Sequence, residues 1–206
     1  MTKEFLDYST VRNNAIKLAE QIFRDGFVPD VIYASLRGGA HMANVISEYF
    51  KLVLKGRKPV LYAAVVARSY TDVRKNGAVR VDGWTYSPGH LRAGDKILLV
   101  DDICDTGNTL RFLVEEIMAH GVPRADIKAV VHDYKRFAFR EPLAVEPDYF
   151  CRAIDVRRPE DDRWIHFLSH ELEGLTEDEL EEHYFSQDEG LRGVFGRIAK
   201  PGEERA

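Results

Sequence analysis

The chain has 206 residues, 45% of them hydrophobic and 31% charged, a balance that excludes a disordered or fibrous protein and suffices for one α/β core. A net charge of −5 gives no indication of a nucleic-acid partner, and no apolar run approaches a membrane span. The two cysteines, Cys104 and Cys151, lack metal-ligand spacing, and the first ten residues hold Lys3, Glu4 and Asp7 but no apolar signal region, so a cytoplasmic protein with free thiols is expected.

From Thr10 to Asp25 the apolar positions Val11, Ala15, Leu18, Ala19, Ile22 and Phe23 follow helical spacing, with Gly26 and Pro29 as the stop. Asp30 to Ala34 reads as a buried strand running into Ser35-Leu36-Arg37-Gly38-Gly39-Ala40, after which a second helix extends through Tyr49. Alone, Arg37-Gly38-Gly39 is a tight turn as readily as a site. Two glycines that admit a ligand to the backbone, beside a guanidinium fork matched to phosphate oxygens, also make it a candidate clamp. Pro59 to Val66 predicts a third strand. A polar, glycine-punctuated stretch then runs to Gly94, with Val79-Arg80-Val81 alternating like an exposed strand; a lid and a plain β-hairpin insertion both fit it.

Ile97 to Val100 predicts a buried parallel strand ending on Asp101 and Asp102. Ile103, Cys104 and the turn Asp105-Thr106-Gly107-Asn108-Thr109 follow, then a helix with apolar positions Leu110, Leu113, Val114, Ile117 and Met118. A P-loop is excluded because no lysine stands before Thr109, and one Asp-Thr-Gly in a strand-to-helix context does not suit an aspartic protease. Helix capping accounts for one carboxylate at such a turn but not for three within five residues. Crowded charges at a strand end call for a cation or a polyol ligand. Cys104 reads as a small filler beside this loop.

Beyond Gly121 and Pro123, Ile127 to Val131 begins another strand with Lys135 just past its end. Pro147 to Phe150 and Asp162 to Phe167 complete the core, where Trp164 supplies apolar area. Thr176-Glu177-Asp178-Glu179 fits a capping box opening a short acidic helix to about Phe185.

The run Val-Asp-Asp-Ile-Cys-Asp-Thr-Gly-Asn-Thr, residues 100–109, resembles the phosphoribosyl-pyrophosphate (PRPP) signature of type I phosphoribosyltransferases. The pattern is closest to the purine enzymes that act on hypoxanthine or on xanthine and guanine. That resemblance implies an α/β fold with a central, mostly parallel sheet flanked by helices, a flexible β lid at 68–94, a base-binding hood at 133–175 and a frayed tail at 196–206, all in one domain spanning 1–206. It implies that Asp101 and Asp102 hold the PRPP ribose, with Mg²⁺ held through water or the ribose hydroxyls, and that Thr106, Gly107, Asn108 and Thr109 hold the 5-phosphate. Arg37, Gly38 and Gly39 are then the pyrophosphate loop, with a cis peptide at Leu36–Arg37. Ser69 and Tyr70 belong to the lid, Asp105 is the catalytic carboxylate near the base, and Lys135 and Trp164 bind and stack the base. After Phe167 the family's Pro-Trp pair is missing and the chain reads Leu168-Ser169-His170-Glu171, the acid arriving one place late. Related proteins are dimers or tetramers. The expected activity is Mg²⁺-dependent phosphoribosyl transfer from PRPP to a purine in salvage, without nucleic acid or membrane. The alternatives are a transferase acting on another base and a regulator that senses PRPP or a nucleotide.

Overall fold

The computed structural model describes residues 2–69 and 79–197. Two compact units divide the chain, Met1–Ser169 and His170–Ala206.

In the first unit a short strand β1 (Thr2–Leu6) leads into helix α1 (Tyr8–Arg24). Asp7 caps that helix by accepting the Thr10 amide at 2.8 Å, and the stripe Val11, Ala15, Leu18, Ala19 and Ile22 is buried, as its spacing predicts. Then follow β2 (Val31–Leu36), α2 (Ala40–Leu54), β3 (Leu61–Ser69), β4 (Val79–Trp84), β5 (Ile97–Cys104), α3 (Asn108–Ala119), β6 (Ile127–Phe137), β7 (Tyr149–Val156) and β8 (Arg163–Phe167).

Six strands form one sheet in the order β4-β3-β2-β5-β6-β7, every pair parallel except β3–β4. Both faces are covered, so each inner strand is apolar on both sides. Ile32, Ala34, Leu98, Val100 and Val130 face one core with α1 and α2. Val31, Tyr33, Ile97, Leu99 and Ala129 face a second core with α3. Alternate side chains of a strand point to opposite faces, which puts neighbouring residues in different cores.

Chain order reverses between β2 and β5: from β2 the chain steps outward to β3, and from β5 it steps the other way to β6 and β7. In such sheets the crevice at the carboxyl ends of the strands flanking the reversal is where ligands bind. The Arg37-Gly38-Gly39 loop follows β2, and the run 100–109 spans the end of β5 and the turn after it.

Three expectations need correcting. Strand β5 does not end on Asp101 and Asp102 but runs to Cys104. Its ladder continues through Asp101↔Val131, Ile103↔Asp133 and Cys104↔Tyr134, because the paired groups are backbone and tolerate polar side chains. Likewise β6 runs 11 residues to Phe137, so Lys135 lies inside the strand rather than past its end. A second, two-stranded parallel sheet, β1 with β8, was not anticipated; its register sets Lys3 against Trp164 and Leu6 against Phe167.

The second unit holds α4 (Glu177–Leu180), a π turn over Glu181–Phe185 and α5 (Gly190–Phe195). Thr176 and Glu179 form the expected capping box. Within this unit the Tyr184 hydroxyl donates to the Glu171 carbonyl at 3.0 Å, and Arg192 bridges Glu181 and Glu189. No helix among the described residues is long and apolar enough to cross a membrane.

Candidate active site

The loop after β2 and the end of β5 are in contact through glycine. A methyl group on Gly38 would lie 2.3 Å from the Asp102 carboxylate, and one on Gly39 would lie 2.2 Å from the Val100 carbonyl oxygen. With its neighbours in place, only hydrogen fits at either position. The Leu36–Arg37 peptide is cis, as expected for this loop. Gly39 then leads directly into α2, so the amides of its first turn open beside Arg37–Gly39.

Asp101 and Asp102 are partly buried at this junction. Asp101 is held well above the usual carboxylate range, first by burial and then by the neighbouring charge of Asp102, against a hydrogen bond from Ser35. The Asp102 carboxylate accepts the Ile103 amide at 2.8 Å, and its own amide donates to Asp101 at 3.1 Å. Two adjacent carboxylates with this mutual repulsion are a hard-oxygen donor set that fits a hydrated magnesium ion.

The following turn is set by Gly107, whose φ of +68° lies in the left-handed region and whose missing side chain admits Leu143, only 2.8 Å from where a methyl would sit. Helix α3 starts at Asn108, two residues before the first apolar position in the pattern. The amides of residues 107–109 thus surround the helix start, a geometry that favours an anion. A cavity of about 210 Å³ is lined here by Ser35, Asp101, Asp105, Thr106, Gly107 and Thr109. Cys104, 4% exposed, borders it with its thiol pushed up to about 12, chiefly by burial and then by the charges of Asp101 and Asp105. It is a filler and no nucleophile.

A second cavity, about 230 Å³, shares Thr106 with the first and is otherwise lined by the 134–143 segment, including Lys135, Phe137 and Arg140. Lys135 is 4% exposed. It donates to Asp162 Oδ1 and to the Arg163 carbonyl, both at 2.7 Å, and its ammonium stands 3.5 Å from Asp105 Oδ2. The Arg163 carbonyl precedes Trp164, which is 52% exposed on β8. Lys135 and Trp164 are therefore adjacent through one backbone group, although Trp164 presents its ring to the surface instead of filling the core. On the other oxygen of Asp105, Arg140 Nη1 approaches to 3.1 Å.

The structure thus brings Arg37, Gly38, Gly39, Asp101, Asp102 and the 105–109 turn to the carboxyl ends of β2 and β5, with Lys135 alongside. Of the lid pair, Ser69 ends β3, and its side chain and all of Tyr70 lie outside the described residues. Missing from the sequence reading were Asp162 and Arg140. Arg140 belongs to Lys-Arg-Phe-Ala-Phe-Arg, residues 135–140, where cations interleave with aromatics, but neither periodicity nor a motif marks it.

A phosphoribosyl transferase domain is matched over residues 1–164, which spans all eight strands except the last three residues of β8. The chain belongs to the phosphoribosyl transferase domain family. This phosphoribosyltransferase is 28% identical over 166 residues to the bifunctional protein PyrR of Streptococcus pneumoniae, an alignment covering 78% of this chain and 87% of the relative. Among solved structures, a purine phosphoribosyltransferase from Pyrococcus horikoshii superposes with a TM-score of 0.63 at 23% identity, covering 86% of this chain and 100% of the other. The Helicobacter pylori xanthine-guanine-hypoxanthine phosphoribosyltransferase does so with 0.56 at 16%, covering 90% and 99%. Both share the mostly parallel sheet of this phosphoribosyltransferase fold.

Proposed function

We propose that the protein transfers the 5-phosphoribosyl group of PRPP to a purine base, with Mg²⁺, releasing pyrophosphate and a nucleoside monophosphate. The observation that carries the purine assignment is Lys135, buried and fixed by Asp162 and the carbonyl before Trp164, beside the Asp105 carboxylate. A fixed ammonium suits an oxo group at the edge of the base, and an exposed indole next to it offers a stacking face.

The remaining groups divide the donor among them. Asp101 and Asp102 accept from the ribose hydroxyls and would hold a magnesium ion through those hydroxyls or through water; when bound, the ion would supply positive charge that stabilises the departing pyrophosphate. The amides and hydroxyls of Thr106, Gly107, Asn108 and Thr109 take the 5-phosphate, and Arg37 with the Gly38 and Gly39 amides takes the pyrophosphate. The bond from C1 to pyrophosphate oxygen breaks as a ring nitrogen of the base bonds to C1 from the opposite face. Asp105 accepts or steadies the proton that leaves the base.

The test is pyrophosphate release from PRPP and Mg²⁺ with hypoxanthine, guanine, xanthine, adenine, uracil and orotate. Release with a 6-oxopurine is expected. Replacing Asp105 by Asn lowers kcat by about 10²- to 10⁴-fold with little change in PRPP affinity, and equal loss of both would remove Asp105 from the reaction. Likeness to a relative named as bifunctional favours one second reading, a regulator that binds PRPP or a nucleotide. Clear PRPP binding without release for any base would replace the transferase reading with that one.

A further inference from the structure

Asp105 is held from both sides. Lys135 stands on one carboxylate oxygen at 3.5 Å and Arg140 on the other at 3.1 Å, so two cations flank one anion across the mouth of the 230 Å³ cavity. Their remaining capacity differs. Of the three donors on Lys135, two are committed at 2.7 Å to Asp162 and the Arg163 carbonyl. Arg140 has five donors in a rigid fork, of which Asp105 takes one. Its guanidinium plane lies over the Phe137 ring with 3.6 Å to the centroid, which fixes the orientation of the fork at little entropic cost. A neighbouring cation, Arg136, also lines the cavity but is paired with Asp155 at 2.8 Å.

We propose that Arg140 is a specificity-determining residue, which reads the acceptor edge of an oxopurine, ring nitrogen and carbonyl together, in tandem with Lys135. The inference rests on the transferase reading above. An edge made of a carbonyl and a ring nitrogen offers two acceptors side by side, the pattern an arginine fork contacts bidentately. A 6-aminopurine offers a donor in place of the carbonyl and confronts two cations that have no acceptor to give. Rejection by unpaired donors in a preformed site is stronger than rejection by shape. Arg140 and the base share Asp105: when the proton-bearing side of the base engages the carboxylate, the arginine moves its free donors onto the base while remaining on the Phe137 ring.

The experiment compares wild type with R140M, R140Q and R140K, measuring kcat and KM for hypoxanthine and adenine at saturating PRPP and Mg²⁺, with thermal melts to establish folding. If adenine turnover is too slow to time, its inhibition constant against hypoxanthine takes its place. The preference for hypoxanthine over adenine is expected to fall at least about tenfold in R140M and R140Q, mainly through KM, with R140K between them and wild type. An unchanged preference, with kcat lowered alike for both bases, would overturn the proposal and leave Arg140 as a support for Asp105. Should R140M unfold, R140K decides by the same ratio. Absence of pyrophosphate release by wild type with every base overturns the transferase reading, and this inference with it; release by wild type with an unmoved ratio in the variants overturns this inference alone.

Discussion

A methyl group at position 39 meets backbone, the Val100 carbonyl oxygen, whereas at position 38 it meets the end of a short side chain that belongs to the site. Gly39→Ala therefore has to push the loop away from β5, and PRPP affinity is expected to drop by about tenfold or more in a calorimetric titration. Gly38→Ala can displace the Asp102 carboxylate, so its effect should depend on Mg²⁺ concentration. Cys104 gives a different kind of prediction. With 4% exposure and a thiol pushed up to about 12, it should resist iodoacetamide at pH 8 in the native protein and react once the chain is unfolded. Labelling of native protein at the rate of a free thiol would contradict the filler role. At this scale the loops at the carboxyl ends of β2 and β5 were legible because glycine, arginine and aspartate at strand ends have few structural alternatives. Arg140 was not, since nothing in a string of letters records its 3.1 Å approach to Asp105 or its place over the Phe137 ring.

Strand-level organisation depends on charges the hydropathy pattern does not register. Arg152 of β7 bridges Asp133 of β6 and Glu4 of β1, with a second bond to Asp133 at 3.1 Å. Asp133 is fully buried. Burial alone would raise its pKa, but hydrogen bonds from His132 and Arg152 outweigh that and hold it below the usual carboxylate value of 3.8. Asp133→Asn leaves Arg152 half-answered and is expected to cost about 2–3 kcal/mol, less than a fully enclosed pair because Arg152 is one-third exposed. Because the folded value lies below the unfolded one, the contribution is present above pH 3.8 and disappears as the pH falls through the folded value. Urea midpoints for variant and wild type should differ at pH 7 and converge in acid; a gap that persisted at low pH would assign the loss to packing. Helices α1, α2 and α3 were readable from the spacing of apolar residues. The carboxyl ends of β5 and β6 were not, because Asp101, Asp133 and Lys135 are polar positions inside a ladder that pairs through backbone. Strand β1 also escaped, for Thr-Lys-Glu-Phe-Leu carries too little apolar signal over five residues.

At the scale of the molecule, the buried hydrophobic clusters among the described residues come from positions up to Phe167, and the family match ends at residue 164. A chain ending after Ser169 is therefore expected to unfold in one cooperative transition with a midpoint within a few degrees of the full chain. Loss of cooperativity would show that residues 170–206 complete the core. Sequence reading recovered the α/β class and the loops at the carboxyl ends of β2 and β5, which depend on local runs. It could not recover the partnership of β1 with β8, since nothing local records a contact between residues so far apart. That pairing has a kinetic meaning. Joining Thr2 to Arg163 closes a loop of about 160 residues, and the closure alone costs on the order of 4–5 kcal/mol of chain entropy. The ladder that carries Trp164 can form only when the intervening sheet has already drawn its ends together. During refolding the crevice at β2 and β5 should be assembled first, and the ladder that carries Trp164 last. Under the function proposed above, a folding intermediate of this protein would hold one substrate before it could recognise the other.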